Sequence, residues 1–160
     1  MADLNSRISE TQRHRGRRGF AEELNGLSEA ILGAAISVHR ELGPGLLESV
    51  YETCLAYELT ERHLPFHRQI SMPVRYGGMR IEGGYRIDFL VAEWVVIEVK
   101  AVQTVLPIHR AQLLTYLRLS ECPLGLLLNF NVPVLKEGIT RLVNGFPDLC
   151  ATSASSVSPR

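Results

Sequence analysis

The stretch that most limits what this chain can become is YRIDFLVAEWVVIEVKA, Tyr85 to Ala101. Its two runs of β-branched and aromatic residues read as strands joined by a short turn, and strands this apolar belong inside a sheet. Yet Asp88, Glu98 and Lys100 sit among them, and charged side chains are seldom fully buried unless paired. Alternation along a strand puts Glu98 and Lys100 on one face and Ile97, Val99 and Ala101 on the other. With Ala92-Glu93-Trp94 as a three-residue hairpin loop, Val91 pairs with Val95 and the register carries Asp88 opposite Glu98. Their Cβ atoms would then lie about 4.5 to 5.5 Å apart, a repulsive placement unless positive charge stands between them. A divalent cation meets that need. A two-residue loop would flip the parity and separate the carboxylates.

The flanking segments alternate between helical and strand periods. LSEAILGAAISVHREL carries Leu27, Ile31, Ala34, Ala35, Val38 and Leu42 on one helical stripe, with Ser28 as N-cap and Gly43-Pro44 as the stop. LLESVYETCLAYELTERH predicts a second helix with Leu47, Val50, Tyr51, Cys54 and Leu55 inward, ending before Pro65. QISMPVRY, the pair Gly77-Gly78 and MRIEGG read as a strand and a tight hairpin turn. After the charged strands, PIHRAQLLTYLRLSEC is helical with Pro107 at its first position, and LGLLLNF is a strand apolar on both faces. The order is helix, three strands, helix, strand, preceded by one further helix.

Within the later helix, His109, Gln112 and Tyr116 fall at i, i+3 and i+7, a polar stripe able to face the charged strands. His109 reads better as a surface or capping histidine. Glu48 follows the Gly-Pro-Gly break, where the dipole of a helix N-terminus also favours a carboxylate. His63 and His67 have zinc-like spacing, but Pro65 between them breaks the helix that would align them.

At 160 residues the chain is one domain's worth. Residues 25–146 form the expected domain, between a flexible Arg-rich tail, 1–24, and a small, polar, flexible C-terminal tail, 147–160. Seventeen Lys plus Arg balance seventeen Asp plus Glu, which by itself announces neither a nucleic acid nor a membrane. Five arginines before residue 20, against Asp3 and Glu10, leave the remainder slightly acidic. Three cysteines without C-x-x-C spacing argue for reduced thiols. No apolar run approaches the roughly 18 residues of a membrane span, and no apolar stretch follows the arginines. These features predict a cytoplasmic protein.

Asp88, nine residues, then Glu98-Val99-Lys100 resembles the D-x(n)-E-x-K signature of the PD-(D/E)XK nuclease superfamily. GLLESVYE, with Gly45, Glu48 and Tyr51, resembles the G-x-x-E-x-x-Y motif of one family within it. The likeness continues through IDFLV, VVIEVKA, HRAQLLTYL and GLLLNF. It implies an α/β, restriction-endonuclease-like αβββαβ core, a mixed central sheet flanked by helices, here with an additional N-terminal helix. By the same resemblance Asp88 and Glu98 are metal ligands and Glu48 is the helix carboxylate; the octahedral oxygen shell of Mg²⁺ adds the Val99 carbonyl as a ligand and leaves Glu48 to hold a metal-bound water or a second ion. Lys100 is the catalytic lysine, and Gln112 with Tyr116 is a supporting Q-x-x-x-Y element. The implied activity is Mg²⁺-dependent hydrolysis of nucleic acid phosphodiesters, with Mn²⁺ as a substitute ion and DNA ahead of RNA as substrate. No membrane partner is implied, and a homodimer stands open beside a monomer. The competing reading is a catalytically silent nuclease-fold module that binds nucleic acid or a protein partner.

Overall fold

A computed structural model describes residues 17–145. Five strands form one sheet in the order β1 (Phe66–Tyr76), β2 (Met79–Val91), β3 (Val95–Lys100), β4 (Leu124–Asn129), β5 (Ile139–Val143). Neighbours run antiparallel except β3 and β4, which are parallel, so the sheet is mixed. A parallel pair needs a crossover, and the helix α3 (Pro107–Ser120) supplies it. Helices α1 (Arg17–Leu42) and α2 (Glu48–Glu61) pack on Ile97, Val99, Leu126 and Leu128, while α3 packs on Leu90, Val96 and Leu127. Every residue of β4 is buried, as its continuous apolar run requires. This is the expected α/β restriction-endonuclease-like arrangement with its N-terminal helix. A short 3₁₀ turn, Leu135–Gly138, and β5 extend it beyond the predicted strands.

The hairpin register is the predicted one. Val91 pairs with Val95, Leu90 with Val96 and Phe89 with Ile97, around a turn with Ala92 at φ 50° and Glu93 at φ 63°. The ladder stops there, so Asp88 and Glu98 are not the backbone pair that the register extrapolates to. Gly77 and Gly78, at φ 54° and 80°, close the β1–β2 hairpin as expected. MRIEGG and YRIDFLV form one strand, β2, with a two-residue shift of pairing between Met72↔Tyr85 and Val74↔Ile81. Gly84 sits in that irregularity, where a Cβ would lie 2.6 Å from Val74 Cγ2.

Two predicted boundaries differ. The first helix begins at Arg17, not near Ser28, and buries Phe20 and Leu24, which lie inside the segment expected to be a flexible tail. Phe20, Leu24, Leu27 and Ile31 continue one helical stripe, and Phe20 packs edge-to-face on Trp94 at a centroid distance of 5.0 Å. Ser28 is consequently buried in mid-helix. The rest of the expected tails, residues 1–16 and 147–160, lies outside the described residues. In α2 the buried face is Tyr51, Leu55, Ala56 and Leu59. Leu47 and Val50, predicted inward, are exposed, because Tyr51 fixes the phase of the helix and Leu47 precedes its first turn. Among the described residues no helix is long and apolar enough to cross a membrane.

Candidate active site

Where β2 and β3 part, side chains take over the work of the ladder. The Val99 N–H donates to Asp88 Oδ2 at 2.9 Å, the Ala101 N–H to Glu48 Oε1 at 3.1 Å, and the Val102 N–H to Asn129 Oδ1 at 3.0 Å. Asn129 also donates from Nδ2 to the Val102 carbonyl at 2.8 Å, and the Phe130 N–H donates to the Lys100 carbonyl at 2.8 Å. Acceptors from β2, α2 and β4 therefore hold the end of β3. The Val99 bond engages one oxygen of Asp88, and the Ala101 bond one oxygen of Glu48.

The reason Glu48 reaches Ala101 lies in the segment before it. Gly43, at φ 67°, ends α1, and Gly45 turns the chain at φ 101°, a conformation that favours glycine. Tyr51 is fully buried and stacks on Phe130 at 4.5 Å. Its hydroxyl donates to the Gly43 carbonyl at 2.7 Å and accepts from the Leu46 N–H at 3.1 Å. Gly45 and Tyr51 thus shape the loop that launches α2, and Glu48 is the first residue of that helix.

Glu98 is 2% exposed. Its Oε1 accepts from Lys100 Nζ at 2.6 Å, while Oε2 is buried with no hydrogen-bond partner. Burial, followed by the charge of Asp88, pushes its carboxyl up to about 7. Asp88 is also raised, by burial first, against the lowering effect of the Val99 bond. Burial opposes the charge on Lys100, but the bond to Glu98 and the surrounding carboxylates outweigh it and raise its pKa. Burial likewise raises the phenol of Tyr116, whose hydroxyl oxygen accepts from Gln112 Nε2 at 2.6 Å.

These groups share one cavity of about 630 Å³. Every predicted site side chain lines it: Glu48, Asp88, Glu98, Lys100, Gln112 and Tyr116. Val99 is buried in the same strand, with its N–H committed to Asp88. His109 stands apart, its Nδ1 accepting from the Leu106 N–H at 3.2 Å at the start of α3. Sequence reasoning missed Glu52, Arg86 and Tyr85 on the cavity wall. The signal for Glu52 was present, since i+4 from Glu48 places it one turn along the same face. Glu52 accepts from Gln69 Nε2 at 2.6 Å and lies 3.7 Å from Arg68 Nη2. His67 Nε2 pairs with Glu93 Oε1 at 3.0 Å.

Four carboxylates, Glu48, Glu52, Asp88 and Glu98, surround Lys100 in this cavity. Among the described residues no three His, Cys, Asp or Glu side chains converge as a ready-made metal cage. A hard dication such as Mg²⁺ asks for less, taking one or two carboxylates and keeping several waters. The partnerless Glu98 oxygen and the excess of four carboxylates over Lys100 and Arg86 fit such an ion, and Asp88 and Glu98 are the groups suited to hold it.

A family model of the PD-(D/E)XK nuclease superfamily matches residues 25–142. No curated protein matches the chain. Among solved structures it is similar to SSO0001, at 19% identity over 92% of this chain and 78% of that chain, with a TM-score of 0.45. That likeness is too slight to carry an argument. The family match spans most of the chain, from within α1 into β5, and takes in all the acidic and lysine groups of the cavity: the chain belongs to the PD-(D/E)XK nuclease superfamily.

Proposed function

We propose that the protein is a divalent-metal-dependent nuclease that hydrolyses DNA phosphodiesters, of the G-x-x-E-x-x-Y branch of its superfamily. Membership in a nuclease superfamily supports the reaction class. The observation that carries the reading is the buried Glu98, with one oxygen on Lys100 and the other without a partner, beside Asp88 in an acidic cavity. A polyanionic substrate would be repelled from four carboxylates unless a cation screened them. Asp88, Glu98 and the Val99 carbonyl would hold Mg²⁺, or Mn²⁺ in its place, and the ion would supply Lewis acidity toward the phosphodiester.

The chain's own groups do the rest. Lys100, kept protonated by its acidic neighbours, offers a fixed positive charge where negative charge grows on the phosphoryl oxygens. Glu98 holds that ammonium in place. Glu48 and Asp88 fix the β3 end through backbone bonds and present their remaining oxygens as acceptors for ordered water. Tyr116 and Gln112 form a bonded pair of neutral polar groups suited to orienting a strand backbone. The protein is expected to act in the cytoplasm, and a homodimer is compatible with this reading.

The test is hydrolysis of single-stranded, double-stranded and branched DNA, with RNA alongside, in Mg²⁺ and in Mn²⁺. Wild type should cut, and Lys100→Ala and Asp88→Asn, each folded by circular dichroism, should lose at least 100-fold in rate, the usual scale for removing one electrostatic stabiliser. Cutting at the wild-type rate by either variant would remove the proposed site. A wild type that binds nucleic acid but never cuts it would establish the silent-module alternative.

A further inference from the structure

The β1–β2 hairpin runs well past the rest of the sheet. β3 pairs with β2 only at Phe89, Leu90 and Val91, whereas β1 and β2 remain paired as far as Tyr76↔Met79. From the level of Asp88 to the tip at Tyr76, seven steps along β1 at roughly 3.3 Å each, a two-stranded ribbon of about 23 Å has no third strand beside it, and only its base, at Met72 and Ile87, is buried against α3. Residues 75–86 are all exposed. An isolated two-stranded hairpin is marginally stable at best, and this one leaves apolar surface in water at its end: Tyr76 is 74% exposed and Met79 59%. Arg75 and Arg80 are cross-strand partners, a like-charge pair that destabilises a ribbon. Glu82 offsets Arg80 at 2.5 Å, but with Arg86 the exposed segment still has three arginines against one glutamate. At its base, Tyr85 and Arg86 line the acidic cavity, and the Tyr85 ring meets Tyr116 edge-on at 5.7 Å.

We infer that this ribbon is a DNA-gripping arm, inserting into the major groove of duplex DNA beside the bond held at the cavity. The inference rests on the nuclease reading above for its choice of a nucleic acid partner. A B-form major groove, about 12 Å wide, admits a two-stranded β-ribbon. Arg75 and Arg80 then meet phosphates and relieve their mutual repulsion, Tyr76 and Met79 leave water against base edges, and Arg86 carries the positive surface to the mouth of the cavity. On a chain of zero net formal charge, three arginines against one glutamate on a projecting element give the duplex a defined place to bind.

The test is fluorescence anisotropy of the full chain in EDTA with a labelled DNA duplex of about three helical turns, across a salt series, beside cleavage of the same duplex in Mg²⁺. Wild type is compared with Arg75→Ala/Arg80→Ala and with Tyr76→Ser/Met79→Ser. The arginine variant should lose about 0.9 in the slope of log K against log[salt] for each lost contact, about 1.8 in all. The tip variant should bind several-fold more weakly with the slope kept. An unchanged slope and affinity in both variants would overturn the arm, whether or not wild type cuts. Loss of binding in the variants, with no cleavage by wild type, would support the arm and refute the nuclease reading. Equal losses on double-stranded RNA, whose deep and narrow major groove excludes a ribbon, would overturn groove insertion.

Discussion

Glu98 concentrates the electrostatic cost of the site in one side chain. Its carboxyl stands at about 7 against an ordinary 4.5, so the folded protein favours the protonated form. The resulting stability is present in full below about pH 4.5 and is lost as pH rises through about 7, on the order of 3 kcal/mol. Asp88, raised as well, acts in the same direction. In EDTA the protein should therefore melt at a higher temperature at pH 5 than at pH 8, and Glu98→Gln should narrow that gap; an equal gap in the variant would mean that Glu98 is not its source. Above pH 7 a dication should return the lost stability, by about 2.7 kcal/mol at 100 times its dissociation constant. A Mn²⁺ titration followed by thermal unfolding should lift wild type and leave Asp88→Asn nearly flat. Equal responses would show that these carboxylates do not bind the ion together.

Among the elements, the loop into α2 depends on one phenol. The Tyr51 hydroxyl bridges Gly43 and Leu46 across the turn that Gly45 makes possible. Tyr51→Phe keeps the stacking on Phe130 and strands a carbonyl and an N–H, which should cost about 1–3 kcal/mol by chemical denaturation. Because the loop sets where Glu48 meets Ala101, the same variant should lose turnover while its affinity for nucleic acid stays near wild type. A parallel fall in both would mean that the loop serves binding as well. Gly84 poses a steric counterpart in β2: Gly84→Ala places a methyl group against Val74 and should destabilise the ribbon end of the hairpin, seen as faster amide exchange in β1.

Taken as a whole, the molecule was legible in its sequence wherever period and charge spoke together. Loop length gave the β2–β3 register, turn chemistry the Gly-Gly hairpin and alternation the shared face of Glu98 and Lys100, and the motif resemblance gathered Glu48 from one helix and Gln112 and Tyr116 from another. The start of α1 escaped because the arginines and Gly19 around Phe20 read as tail, though Phe20 and Leu24 keep the helical period. β5 escaped because five half-buried residues with Arg141 among them show no clear alternation. Glu52 escaped because its i+4 spacing from Glu48 belongs to no motif, and the last rung of the β2–β3 ladder because pairing rules do not foresee a carboxylate replacing a backbone carbonyl. Leu24→Ala, in the segment expected to be loose, should cost about 2–5 kcal/mol in unfolding free energy, whereas a truly flexible tail would register almost nothing. The side-chain acceptors at the end of β3 also make the Val99, Ala101 and Val102 amides internal sensors, since each is shielded by a different element. In a nitrogen–proton correlation spectrum, the arrival of an ion at Asp88 should move the Val99 signal first. A loosening of α2 should appear at Ala101 alone, so that three neighbouring peaks separate events in three distant parts of the chain.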